Sequence, residues 1–225
     1  MSDFRIVQAG DAALLVEFPA RIDPAVSNRA VALARAVRSR CAGSVRDVVV
    51  GYCSVTVYFD PLLVDATALE AELRQAAMAP PGRAIDEGAL IDVDVCYGGE
   101  FGPDLGDVAA FANATEEEVI ALHSATTYRV YVVGFVPGFP YMASVHPRLA
   151  LPRRAMPRAR VPAGSVAIAA GQTGIYPLET PGGWHLIGRT GVKPYDDSRA
   201  EPFLFKPGDR VRFHAVHRME FDRTA

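Results

Sequence analysis

Between Gly134 and Gly191 the chain is punctuated more densely than any regular helix or sheet would tolerate. Nine of its 19 glycines and eight of its 17 prolines fall in this stretch. Glycine supplies positive φ and proline fixes φ near −65°, so such a density forces turns and short strands. Disorder is excluded by the apolar and aromatic residues interleaved with them: Phe135, Phe139, Tyr141, Tyr176 and Trp184. The segment is read as a rigid, turn-rich surface that holds polar groups, among them Gln172, Thr173, His185 and Arg189, where binding and catalysis usually sit.

The first 85 residues have a different rhythm. Two apolar runs flank Ala9-Gly10-Asp11, which predicts a strand pair from Phe4 to Phe18. Asp23-Pro24 opens a helix in which Val26, Ala30, Leu33, Ala34 and Val37 share one face, with arginines in the last turns to Arg40. Val45 to Asp60 reads as a hairpin broken at Gly51, and Asp65 or Thr67 opens a second helix through Leu69 and Leu73. Strands, helix, two strands, helix predict a ferredoxin-like α/β sandwich over residues 1–85. A linker is placed at Ala79 to Gly88.

Residues 86–225 read as a β-barrel or sandwich with one or two helices. Leu90 to Tyr97 alternates as a strand, and Leu105 to Phe111 is a short helix. Thr115 and Glu118 form a capping box for another. Tyr128 to Val136 and Val161 to Ala169 are strands, and Lys206 to Val216 is a turn leading into a last one. The overall class is α+β.

A net charge of −3 offers no basic field for nucleic acid or an anionic membrane. The chain has no 18-residue apolar run and no signal-peptide pattern at Met1 to Asp11. Cys41, Cys53 and Cys96 are an odd set without C-x-x-C spacing, which predicts reduced thiols of a cytoplasmic protein and no zinc site. A P-loop is absent from the sequence, as are G-x-G-x-x-G after a strand and H-E-x-x-H. His214 and His217 are placed on one strand facing opposite sides, so they are not read as a shared metal site.

Five arginines crowd Arg148 to Arg160, and guanidinium suits carboxylate or phosphate. Arg158 and Arg160, abutting the strand at Val161, are the two chosen to face an anionic ligand. Ser165 lacks a G-x-S-x-G elbow and is read as packing. Gln172-Thr173 offers an amide and a hydroxyl at a glycine-flanked turn, and His185, beside the single tryptophan, is the candidate acid/base. His123 is read as structural, and Tyr141 and Tyr176 as aromatic core.

Three blocks carry a family resemblance: GFVPGFPYM (134–142), VPAGSVAIAAGQTGIYP (161–177) and TPGGWHLIGRT (180–190). They resemble the signature blocks of the family of the 5-oxoprolinase B subunit, also called allophanate hydrolase subunit 1 and sporulation-kinase inhibitor. The resemblance extends along essentially the whole chain, with Ala170 standing where glycine is expected and Gly191 where proline is expected. It implies a ferredoxin-like domain followed by a cyclophilin-like β-barrel. It also implies partners, the 5-oxoprolinase subunits C and A, with which the chain would hydrolyse 5-oxo-L-proline to L-glutamate at the expense of ATP. On that reading His185 transfers protons, Gln172 holds the substrate carbonyl or carboxylate, and Arg160 and Arg189 bind anions. Two alternatives accompany it: a component acting on a ureido substrate, as in allophanate hydrolase or a urea-type carboxyltransferase, and a non-catalytic inhibitor of a histidine kinase.

Overall fold

A computed structural model describes residues 3–79 and 88–224. The chain divides into two compact units, Met1–Glu87 and Gly88–Ala225. The linker read at Ala79 to Gly88 falls almost wholly outside the described residues.

In the first unit the strands β1 (Arg5–Gln8) and β2 (Ala13–Glu17) form a hairpin, followed by helix α1 (Pro24–Arg40). Asp23 caps α1 by accepting the Ala25 N–H, and Pro24 occupies its first turn. A second hairpin, β3 (Val45–Val50) and β4 (Ser54–Phe59), leads to helix α2 (Ala66–Met78). The sheet order is β1-β2-β4-β3, antiparallel throughout. This is the ferredoxin-like arrangement with one difference. The edge strand beside β2 is supplied by the segment before the first helix, where a βαββαβ unit takes it from after the second. Val16, Val55, Val57 and Phe59 pack under Ala30, Leu33, Val37, Leu69 and Leu73, all buried.

The second unit is a closed barrel with added helices and a ribbon. Its elements are β5 (Leu90–Tyr97), α3 (Leu105–Ala112), α4 (Glu116–Ser124), β6 (Thr127–Val133), β7 (Pro140–Ala143), β8 (Arg158–Val161), β9 (Ser165–Ala169), β10 (Gln172–Ile175), β11 (Thr180–Gly182), β12 (His185–Arg189), β13 (Arg210–Ala215) and α5 (Arg218–Thr224). Seven strands close in the order β10-β7-β6-β13-β5-β12-β9, and β8 pairs with β11 as a separate ribbon. Within the barrel only β5 and β13 run parallel. The predicted strand Val161 to Ala169 is two strands: Pro162 and Gly164, at φ +77°, turn the chain between β8 and β9.

Alternation along the strands sorts side chains between two cores. Val93, Val95, Val130, Met142, Val166, Ile168, Ile187, Val211 and Phe213 fill the barrel, where α3 and α4 add Leu105, Val108 and Val119. The residues between them on β9 and β12, Ala167, Ala169 and Leu186, face outward and join Phe139, Val161, Tyr176 and Trp184 in a second cluster. The predicted capping box of Thr115 and Glu118 is formed at the start of α4.

Candidate active site

The three motif blocks meet in one cluster of rings on the outside of the barrel. Phe139 lies 4.7 Å from Tyr141, 5.1 Å from Tyr176 and 5.5 Å from Trp184, the last two edge-to-face. Tyr141 and Trp184 are 5.8 Å apart. Two motif glycines let these rings approach. A Cβ on Gly174 would come within 2.7 Å of the Phe139 ring, and one on Gly182 would collide with the Tyr176 hydroxyl. Tyr141 and Tyr176, read from sequence as core, therefore differ: Tyr176 is buried and Tyr141 is half-buried at the rim.

Strand register decides which polar groups share that face. Gln172 opposes Ala143 and Ala169, both outward, so its side chain is on the same face as Tyr141 and Tyr176. Its amide is half-buried and makes no hydrogen bond among the described residues. Thr173, one residue on, points inward. His185 opposes Ile168 and so lies at the same rim as Gln172 but on the barrel-core side.

The His185 ring is held by the loop that precedes β8. Its Nε2 is 3.1 Å from the Pro152 carbonyl, which only accepts, so Nε2 carries a hydrogen and, in the neutral ring, Nδ1 has the lone pair. That Nδ1 is buried and without a partner among the described residues. Arg154 extends the same contact, its backbone N–H donating to Gly183 O at 2.8 Å.

The arginine run is resolved residue by residue. Arg148 donates to Ala112 O and Asn113 O at the C-terminus of α3. Arg154 and Arg158 converge on the buried Asp104, Arg158 through both terminal nitrogens at 2.8 and 2.7 Å. Asp104 also accepts the Leu186 N–H at 2.7 Å, where β5 has left the edge of β12. Burial pushes the Asp104 carboxyl up, but the Arg158 and Leu186 bonds and the two positive charges outweigh it and hold it below the ordinary range. Arg160 is exposed on the ribbon and paired with Glu179 at 2.6 Å. Arg153 is exposed and, among the described residues, pairs with no carboxylate.

Arg189 is not brought to this rim. It sits at the far end of β12, its guanidinium 4.8 Å from the centre of the Phe101 ring, with Nε buried and unpartnered among the described residues. Ser165 opposes it on β9, fully buried, its Oγ also unpartnered. The four residues singled out from sequence thus occupy three places: Gln172 and His185 at one rim, Arg189 at the other end of β12, and Arg160 on the ribbon. His214 is in β13 and bonds Asp92 at 2.7 Å, while His217 lies beyond the strand. Among the described residues, no group of three or more His, Cys, Asp or Glu could hold a metal. No helix there is long and apolar enough to cross a membrane.

The profile of the carboxyltransferase domain, subdomain C and D, matches residues 4–205. The chain belongs to this family. Within the carboxyltransferase family it is 34% identical to the 5-oxoprolinase B subunit of Bacillus subtilis, over 97% of this chain and 95% of that one. It is 39% identical to the 5-oxoprolinase B subunit of Haemophilus influenzae, over 92% of this chain and 96% of that one. Among solved structures, a conserved uncharacterized protein of Pyrococcus horikoshii is 38% identical with a TM-score of 0.58, covering 96% of this chain and all of its own. The protein TTHA0988 superposes better, with a TM-score of 0.82 at 40% identity over 91% of this chain, but this chain spans only 40% of it. The K. lactis urea amidolyase shares the fold, with a TM-score of 0.78 over 98% of this chain and 15% of its own, at 19% identity.

For this carboxyltransferase-family chain, sequence reasoning missed two residues of the rim. Asp104 was passed over: an aspartate directly before a helix reads as a cap, yet its side chain makes no cap hydrogen bond and serves Arg154, Arg158 and the Leu186 N–H instead. Arg153 was hidden in its run, because nothing in the sequence says which guanidiniums are already committed.

Proposed function

We propose that this chain is the B subunit of an ATP-dependent 5-oxoprolinase, acting in the cytoplasm with subunits C and A to hydrolyse 5-oxo-L-proline to L-glutamate. The observation that carries the reading is reciprocal coverage. The Bacillus subtilis and Haemophilus influenzae relatives named as this component of 5-oxoprolinase are matched over 95% and 96% of their lengths.

The chemistry asks for what the rim offers. A lactam is a poor electrophile, so ATP serves to phosphorylate the amide oxygen. Water then adds at that carbon, the ring nitrogen leaves, and the acyl phosphate is hydrolysed. The leaving nitrogen needs a proton, and the attacking water must lose one. We assign both duties to His185; its Nε2 is engaged by Pro152 and its Nδ1 is buried on the barrel-core side, so the ring has to turn toward Gln172 to act. Gln172 supplies an uncommitted amide for the lactam. Without a P-loop, the nucleotide belongs to a composite surface shared with subunits C and A. Arg189 makes no ion pair among the described residues but stands at the other end of β12 from this rim, and Arg160 would have to release Glu179 to take an anion.

The test is ATP-dependent glutamate release from 5-oxo-L-proline. It is run with this chain alone, with subunits C and A, and with the partners lacking it. Turnover only in the complete mixture supports the reading, with His185→Gln lowering it by about 10²- to 10⁴-fold. Full turnover without this chain would refute it. A ureido substrate is the second reading. It is supported by 31% identity to a putative urea carboxylase of Emericella nidulans, over 54% of this chain but only 10% of that protein. ATP-dependent turnover of allophanate or urea in the same mixtures would favour it.

A further inference from the structure

Resting on the 5-oxoprolinase reading for the identity of its ligand, we propose that Arg153 recognises the substrate carboxylate, with the lactam ring against Tyr141 and its amide on Gln172.

The backbone on both sides of Arg153 is pinned. Leu151 O accepts the Ala170 N–H at 2.6 Å, Pro152 O holds His185, and the Arg154 N–H bonds Gly183 O at 2.8 Å. The side chain therefore leaves from a fixed point beside the ring cluster. Its neighbours Arg154 and Arg158 are committed to Asp104, 2.7 Å from each. Of these three, Arg153 alone has its charge uncompensated by a carboxylate among the described residues. Burial raises the pKa of both Tyr141 and Tyr176, and the Arg153 charge opposes it, joined at Tyr176 by Arg158. Gln172 shares the outer face with these two tyrosines. A cation, an uncommitted amide and the half-buried Tyr141 ring match the three parts of a cyclic amide acid: carboxylate, amide and apolar ring. His185 is tied to the same loop through its Nε2 bond to Pro152, the residue before Arg153.

Trp184 is the only tryptophan in the chain and is buried 5.8 Å from Tyr141, so its fluorescence reports on the ring packing beneath this surface. The full chain is titrated with 5-oxo-L-proline and with 2-pyrrolidinone, which has the ring and amide but no carboxylate. Arg153→Gln is expected to weaken 5-oxo-L-proline roughly 10- to 100-fold, the loss of one charge-assisted contact. It should leave 2-pyrrolidinone unchanged, and Arg153→Lys should recover part of the loss. Equal weakening of both ligands, or of neither, overturns the assignment. Allophanate is the third titrant. If it binds with the same Arg153 dependence while 5-oxo-L-proline is silent, the 5-oxoprolinase reading falls and the carboxylate role stands. Absence of any Arg153-dependent binding overturns the carboxylate role, whatever the complete mixture turns over.

Discussion

Ala170 and Gly171 form the two-residue connection between β9 and β10, and both have positive φ, 49° and 81°. A hairpin loop of two residues with both in that region is the type I′ turn, which favours glycine or asparagine at its first position. An alanine there holds its Cβ against the following carbonyl oxygen, a strain of about 1–2 kcal/mol. Ala170 is the position where the family resemblance calls for glycine. Ala170→Gly is accordingly expected to stabilise the barrel unit by about 1 kcal/mol, after the entropy that glycine returns to the unfolded chain. Denaturant melts with an unchanged slope would register it.

His123 is the buried centre of a polar chain through the barrel. Tyr97 Oη is 2.7 Å from its Nδ1 and Thr173 Oγ1 is 2.9 Å from its Nε2, while Thr173 itself donates to Ala167 O at 3.1 Å. Reading back from that carbonyl, Nε2 carries the hydrogen and Nδ1 accepts from Tyr97. Desolvation, with the ring stacked 4.7 Å from Phe213, lowers its pKa from 6.5 to about 3. A histidine kept neutral when folded binds its proton only on unfolding. The stability tied to it is whole above pH 6.5 and drains as pH falls toward 3. Between about pH 7 and pH 5 the wild type should lose about 2 kcal/mol that His123→Gln does not lose, measured as the difference between their melts at the two pH values.

Removing the Asp104 charge should be more damaging than its single position suggests. Asp104→Asn leaves Arg154 and Arg158, about three-quarters buried, facing each other without a carboxylate. Breaking one partner out of such a cluster costs about 3 kcal/mol, less than a fully buried pair because water reaches both guanidiniums. Changing Arg158→Met in the same chain should recover part of that. A double-mutant cycle of unfolding free energies decides it, and strictly additive losses would rule out the coupling.

The ring cluster should respond to one methyl group. Gly174→Ala puts a Cβ 2.7 Å from Phe139, which cannot move without disturbing Trp184 and Tyr176. The expected result is an overpacking loss of about 1–3 kcal/mol and an altered near-ultraviolet dichroism spectrum.

Much of the first unit was legible. The stripe Val26, Ala30, Leu33, Ala34 and Val37 is buried as its spacing demands, and Asp23 and Asp65 cap the helices they precede. Local rules suffice there because each helix and hairpin is decided within its own turn or strand pair. The edge position of β1 was not legible, since strand order is settled by tertiary pairing. In the barrel, Val161 to Ala169 was read through as one strand on the strength of Val161, Val166 and Ile168, across the turn that Pro162 and Gly164 make. At the rim, residue type and motif drew attention to Gln172 and His185, but whether they share a face depends on register, to which composition is blind. Arg158 was chosen to face an anionic ligand and is bound to Asp104; Arg153 was not singled out and pairs with no carboxylate among the described residues. Both outcomes depend on a carboxylate about fifty residues earlier in the chain.

The parallel pairing of β5 with β13 has a consequence for synthesis. Leu90 meets Arg210, and Val95 meets Ala215, so the opening strand of the barrel waits for its last. The ferredoxin-like sheet, by contrast, is complete by Phe59. On the ribosome the first unit therefore has all its strands while the second is still emerging, and the gap between β5 and β6 stays open until β13 fills it. During that interval two unpaired strand edges face solvent, the feature through which chains join one another by mistake. A nascent chain halted after β12 is the form of this protein in most need of a chaperone.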